Sequence, residues 1–330
     1  MADDTEFKPA DTVESPLPIP ELVLIHEASL AGIAAPFMPP LEDGVAKKDG
    51  FKPKDVPLIR DPKRPEPPAD VIRVRGHNDV PLDETLMHSF PYSSIGKVFI
   101  KDPSNGNSVV RECSGVAIGV RLVLTANHCY PQDYGLVGGG ATQRKFNLQF
   151  LPGYDSRSHD PKPHGGAYAD KCYAIGENHV DGTDYLVCRL NGDVGPESGW
   201  LGWAYWANDT AYTTGDWTSV GYPFRTQQGT VPCYQNPINL YAVTNSGYQG
   251  KVLTGRPAYA SEGWSGGPLF GWIDGKPYIA GVVRATAGVT IHGVASPLNT
   301  THAGGERLAR LIESARRNYT VELGASSLPT

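Results

Sequence analysis

No stretch of this 330-residue chain stays apolar for the roughly 20 residues that a membrane-crossing helix needs; the longest, 22–38, is interrupted by His26, Glu27 and Pro36. Nor is there a basic surplus. The 29 Lys and Arg stand against 35 Asp and Glu, a formal charge of −6, which leaves no electrostatic footprint for nucleic acid or anionic lipid. Nucleic acid and membrane therefore drop out as expected partners. The nine histidines include no His-Glu-x-x-His and the five cysteines no Cys-x-x-Cys, so neither a metal nor another cofactor is expected. The opening residues Met1-Ala2-Asp3-Asp4-Thr5-Glu6 are acidic and polar, whereas a secretory leader is basic and then apolar. Against that, all five cysteines lie between 113 and 233, and glycosylation sequons stand at Asn208, Asn299 and Asn318, features of an oxidising compartment. Secretion is the expectation; a reduced cytosolic protein with incidental sequons is the alternative.

What is present is a globular composition, 40% hydrophobic and 19% charged, at a length that admits two folded units or one large one. Thirteen of the 29 prolines fall in residues 1–70, a segment without Cys or Trp. It reads as an extended leader, either a prosegment cut near Val71 or a permanent linker or tail. From Val71 onward the texture is of short β-rich runs at 96–100, 114–125, 185–190, 219–222 and 277–283, the spacing of an all-β sandwich or barrel. Ile273-Asp274-Gly275-Lys276 reads as a hairpin turn. One helix is expected over 305–317, where Leu308, Leu311, Ile312 and Ala315 recur at helical spacing between charged positions, with basic residues in its last turn.

Chemistry is suggested first by Glu262-Gly263-Trp264-Ser265-Gly266-Gly267-Pro268. A serine hydroxyl is a poor nucleophile unless a base takes its proton and donors stabilise the oxyanion; glycines beside it allow a tight turn that presents the Gly263 and Ser265 amides. A plain Gly-rich turn is the bland reading. The same residues spell Gly-x-Ser-x-Gly, the nucleophile elbow of an esterase or lipase, but an elbow leads into a helix, which Gly267 and Pro268 oppose, and its histidine should follow the serine. His292 and His302 do follow, in turn-rich surroundings.

A second segment runs from Cys113 to Cys129, an apolar run ending in Thr125-Ala126-Asn127-His128-Cys129. Here the chain resembles the trypsin and chymotrypsin superfamily, including its bacterial and fungal glutamyl-endopeptidase-like branch. The resemblance covers about 71–317 and implies two packed six-stranded antiparallel β-barrels, about 90–195 and 196–303, carrying a serine endopeptidase site. It puts His128 as catalytic base and bridges Cys113 to Cys129. The superfamily orders its triad His, Asp, Ser along the chain, which singles out Asp184 ahead of the apolar run 185–190; Asp170 and Asp181 are rivals without such a run. Phe90-Pro91-Tyr92-Ser93-Ser94-Ile95-Gly96, Gly221-Tyr222-Pro223, Gly281-Val282-Val283 and Gly293-Val294-Ala295 resemble further elements of the branch in the right order.

The chain also departs from the pattern. Trypsin-like enzymes carry Asp just before the nucleophile to receive a freshly cut N-terminus; Trp264 stands there. The pocket base has Tyr259 and Ala260 where trypsin has a carboxylate, and Val283 where glutamyl endopeptidases have a histidine, so neither Arg/Lys nor strict Glu preference is implied. Glu262 and Arg284 are placed at the pocket rim, with solvated charges as the alternative reading. Of the three pairings open for the remaining cysteines, a Cys172–Cys188 bridge is expected, because the strands bearing them can lie adjacent, and Cys233 is expected free. Expected partners are a protein or peptide substrate and a protein inhibitor, with a monomeric enzyme; a catalytically inactive homologue that binds rather than cuts, its pocket blocked by Trp264, is the alternative.

Overall fold

The computed structural model describes residues 23–27, 79–130, 146–175, 182–206, 209–246, 250–256, 260–273, 276–291 and 294–322. Two short strands, β1 (Val23–Glu27) and β2 (Val80–Pro81), and a helical turn, α1 (Glu84–Met87), precede the first barrel. That barrel comprises β3 (Ile95–Asp102), β4 (Ser108–Gly119), β5 (Leu122–Thr125), β6 (Asn147–Pro152), β7 (Ala167–Ala174) and β8 (Leu186–Leu190). Hydrogen bonding runs β7-β6-β3-β4-β5-β8 and returns to β7, closing six antiparallel strands, with β1 added outside along β7. The connection uses α2 (Gly195–Ser198), β9 (Gly202–Trp203) and α3 (Asp209–Thr214).

The second barrel comprises β10 (Trp217–Gly221), β11 (Cys233–Asn245), β12 (Lys251–Arg256), β13 (Pro268–Ile273), β14 (Lys276–Ile291) and β15 (Val294–Gly304). Its order is β10-β13-β14-β15-β12-β11 with β11 pairing back to β10, again six antiparallel strands in a closed ring; β2 and β9 attach outside. The fold is chymotrypsin-like. Ile273 pairs with Lys276 across the expected hairpin, whose two turn residues lie outside the described residues.

Period-2 alternation drives each ring, because it gives every strand one apolar face to bury. In the first barrel Val98, Ile100, Val123, Leu148, Phe150 and Leu186 turn inward with no exposure, each contributing about 1.5–3 kcal/mol by leaving water. Trp217, Ile238, Leu240, Leu253, Leu269 and Ala280 fill the second. A third cluster joins them: Ile95, Val116, Leu124 and Tyr185 of the first barrel meet Val220, Tyr222, Phe270 and Val282 of the second. The final helix, α4 (Glu306–Glu322), adds Leu308, Leu311, Ile312 and Ala315 to that same cluster. It runs beyond the expected end at 317 because no Gly or Pro occurs until Gly324. Its last turn consequently holds no basic residue, correcting the expectation of a dipole-matched end; Arg316 lies over the Trp203 ring instead, 5.0 Å from its centroid.

Cys113 is bridged to Cys129 and Cys172 to Cys188, the second pair facing each other in the register of β7 and β8. Cys233 is free and buried. The sequon at Asn299 is not presented to solvent: its side chain is buried and accepts from Arg256 Nε at 2.8 Å. Asn208 and the Asn318 side chain lie outside the described residues, as does the expected leader apart from β1.

His302 on β15 is fully buried, its Nδ1–H donating to the Leu253 carbonyl at 3.4 Å, while Nε2 has no hydrogen-bond partner. Burial drives its pKa down to about 4. The unfolded chain takes up this proton near pH 6.5 and the native state refuses it until about pH 4, so stability is complete above that window and falls as pH drops through it, by up to about 3 kcal/mol. His164, also held down to about 4 by burial, adds to the same slope. His302→Leu removes one proton's share of the dependence of Tm on pH between 4 and 6.5; calorimetry that finds an unchanged slope refutes the assignment.

Candidate active site

The turn 260–267 precedes β13 and makes its bends at Gly263 and Gly266, whose φ values of +88° and +82° are left-handed. Side chains are excluded there for space as well: a Cβ on Gly263 would lie 2.3 Å from the Tyr222 carbonyl oxygen, and one on Gly266 2.2 Å from Thr125 Oγ1. Between these bends Trp264 turns inward and Ser265 opens onto a cleft. Trp264 has no exposure, packs with Cys233, Ala260 and Val283, and donates its indole N–H to Ser219 Oγ at 3.1 Å. It does not line the cleft, so the bulk that suggested a blocked pocket lies inside the second barrel.

The main chain of this turn is held from both barrels. Gly266 N–H donates to the Val283 carbonyl and Val283 N–H to that of Gly267, each at 2.8 Å, while Ser114 N–H on β4 donates to the Ser265 carbonyl, also at 2.8 Å. Ser114 Oγ donates to the Gly263 carbonyl at 2.8 Å and accepts the Tyr222 N–H at 2.9 Å. Phe224 N–H donates to the Glu262 carbonyl at 2.7 Å. Since C=O and N–H of one trans peptide point in opposite directions, that bond aims the Gly263 N–H away from Phe224. Among the described residues, neither the Gly263 nor the Ser265 amide donates to a protein acceptor.

His128 sits in the single 3-10 turn Asn127–Cys129 that ends β5. Its Nδ1–H donates to Asp184 Oδ2 at 2.7 Å and its backbone N–H to Oδ1 at 2.9 Å. The carboxylate is wholly buried and the imidazole about a quarter exposed, 0% against 26%. Strand register produces this meeting: β5 and β8 pair with Thr125 opposite Leu186, so the residues just past β5 face those just before β8. With Nδ1 carrying the proton, Nε2 keeps its lone pair. The His128 carbonyl in turn accepts from Arg111.

His128 and Ser265 share a cleft of about 500 Å³ whose walls include Val109, Glu112, Phe224 and Glu262. The disulfide borders it, Cys129 Sγ lying 3.7 Å from the Ser265 carbonyl oxygen. Of the other expected pocket residues, Ala260 is buried with its N–H on Thr300 Oγ1 at 2.8 Å, and Val283 is buried behind the Ser265 turn. Arg284 is half-buried beside Val283, and Tyr259 lies outside the described residues. Asp170 is bonded to Arg189 at 2.7 Å; Asp181 lies outside the described residues. Ser114, Phe224 and the cleft-side stretch of β4 were not singled out from sequence. A serine following Cys113 inside an apolar run was the one local signal for the first of them.

Residues 83–302 match a family model described as Trypsin. The chain is 27% identical over 176 residues to the "Extracellular metalloprotease" of Bacillus subtilis (strain 168), covering 52% of each; it spans about half the length of that curated relative. Among solved structures, a Glu endopeptidase in complex with MPD superposes with a TM-score of 0.50 at 18% identity, covering 74% of this chain and all of that one. Protease Anisep from Arthrobacter nicotinovorans superposes at 0.47 and 21%, covering 69% and 97%. At such identity the Glu endopeptidase likeness speaks for the two-barrel fold. The Bacillus relative is named for a metal, but the donors here do not fit one: among the described residues no three His, Cys, Asp or Glu side chains converge as ligands, and His128 Nδ1 is committed to Asp184.

Trp264 anchors the turn from inside, so Trp264→Ala leaves a large void beneath it. The expected loss is about 3–5 kcal/mol of unfolding free energy, read as a lower urea midpoint; a loss below about 1 kcal/mol, the size expected of an ordinary surface change, contradicts the anchoring.

Proposed function

This chain belongs to the trypsin family, and on that premise we propose that it is a serine endopeptidase with Ser265 as nucleophile, His128 as general base and Asp184 as the group that orients the base. The observation that carries the reading is the 2.7 Å bond from His128 Nδ1 to a carboxylate with no exposure, at the edge of a cleft that Ser265 shares. A buried carboxylate so placed fixes the tautomer and steadies the imidazolium once it forms.

In the proposed reaction Ser265 Oγ bonds to the substrate carbonyl carbon and passes its proton to His128 Nε2. The carbonyl oxygen, now an oxyanion, takes the free amides of Gly263 and Ser265. Collapse breaks the C–N bond and His128 returns the proton to the departing amine, leaving an acyl-serine. Water then adds to the acyl carbon, its proton going to His128 and back to Ser265 as the acid leaves.

Trp264 favours the enzyme over a binding-only homologue, because its side chain is away from the cleft. A protein or peptide is the substrate class, and a rigid inhibitor loop would fit the same groove. Two disulfides support action outside the cell.

Stoichiometric labelling by a fluorophosphonate is expected for the wild type and not for Ser265→Ala; a mature, folded wild type that takes no label ends the proposal. Asp184→Asn is expected to lower kcat on a peptide substrate about 10⁴-fold, with KM little changed, since the carboxylate acts through His128 and does not touch substrate.

A further inference from the structure

Lys97 is the one buried Lys or Arg among the described residues, with a side-chain exposure of 1%. Removing an ammonium from water is costly unless its protons find partners, and the partners here come from both barrels. Nζ lies 2.7 Å from Glu112 Oε2 on β4, a residue of the cleft wall, and donates to the Gly229 carbonyl of the second barrel at 2.5 Å. The Phe99 and Tyr222 rings lie 5.7 and 5.6 Å away, within reach of cation–π attraction. Burial still pulls the amine below the ordinary lysine value, with Glu112 opposing it.

The position of Gly229 matters because of what lies at the other end of its turn. Gly229 N–H donates to the Thr226 carbonyl at 3.0 Å and Thr226 N–H to that of Pro223 at 2.9 Å, and the next residue, Phe224, donates to Glu262. Gly229 itself is left-handed at φ +70°, and a Cβ there would lie 2.7 Å from Lys97 Nζ, so the backbone closes directly on the ammonium. The turn 222–229 is therefore tied at one end to Lys97 and at the other sets the direction of the Glu262–Gly263 peptide. Tyr222, which also borders the ammonium, has its carbonyl oxygen where a Cβ on Gly263 would meet it at 2.3 Å.

We propose that Lys97 is a positioning residue for the oxyanion site, clamping the turn 222–229 to the first barrel so that the Gly263 N–H stays aimed into the cleft; this rests on the peptidase reading above. Lys97 touches no substrate and acts through Gly229 and Phe224. Because the amide meets charge that develops only in the transition state, loss of the clamp appears in kcat and not in KM.

Lys97→Met keeps an unbranched apolar stem that ends one atom short of Nζ and leaves Glu112, 31% exposed, free to be hydrated. Kinetics on a peptide substrate are expected to show kcat lowered about 10- to 100-fold at unchanged KM, within the effect of deleting an oxyanion donor outright. Affinity for a peptidyl trifluoromethyl ketone, which forms the oxyanion, should fall by the same factor, and affinity for the product peptide should hold. Unchanged kcat and ketone affinity in Lys97→Met, beside an active wild type, overturn the clamp alone. A wild type that neither labels with fluorophosphonate nor hydrolyses peptide overturns the peptidase reading and the clamp with it. Should Lys97→Met fail to fold, Glu112→Gln decides: a kcat lowered about 3- to 10-fold at constant KM, the reduced effect of weakening rather than deleting the ion pair, upholds the clamp, and an unchanged kcat refutes it.

Discussion

A carboxylate with no surface open to water is a liability unless both oxygens are hydrogen-bonded, and Asp184 places both on one residue, His128. The ring and the backbone of His128 are gripped together, so the imidazole is not free to rotate on a flexible arm. The 3-10 turn that carries it is fixed at the same time, and behind that turn stand the β5–β8 register and the bridge from Cys129 to Cys113. The chemistry of the site thus begins as a consequence of closing the first barrel, whose strands bring residue 184 opposite residue 128 before any substrate is considered.

Ser265 belongs to the other barrel, and the two closed rings share no strand. Ser114 is the chief link between them. Fully buried on β4, it donates through its backbone to the Ser265 carbonyl, donates through its hydroxyl to the Gly263 carbonyl, and accepts from Tyr222. Its own carbonyl takes Thr125 Oγ1 at 2.7 Å, which returns the network to the strand preceding His128. Every polar group of Ser114 is thereby used, and each bond is short enough to define geometry in surroundings where water does not compete. Lys97 holds the neighbouring turn 222–229 at its Gly229 end, and Ser114 holds it at Tyr222.

Much of this was legible in sequence wherever the signal was local. Period-2 runs marked the strands, and the segments around His128, Asp184 and Ser265 stood in the order that a His-Asp-Ser site requires. Strand β14 outran the expected end at 283 because the residues that follow, Ala285-Thr286-Ala287-Gly288-Val289-Thr290-Ile291, do not alternate sharply in polarity although they suit a strand. Lys97 fell inside an expected strand as its single charge, and nothing local told that it faces inward. That depends on Gly229, 132 residues away. The same holds for Trp264, whose bulk suggested a blocked pocket. Room for it inside the barrel is made by Gly221, where a Cβ would lie 2.4 Å from the indole, and no rule of spacing connects those two positions.

Trp264 also bears on how such a site becomes competent. A buried acid before the nucleophile needs a cation to neutralise it, and a new N-terminus released by cleavage can supply one; a buried indole needs only an acceptor and a packed surround. Ser219 Oγ provides the acceptor, and Cys233, Ala260 and Val283 provide the packing. All of these are internal to the second barrel, and the left-handed bends at Gly263 and Gly266 are in place with them. At position 264 there is thus no carboxylate for a new N-terminus to pair with, and the place is filled by the packed indole.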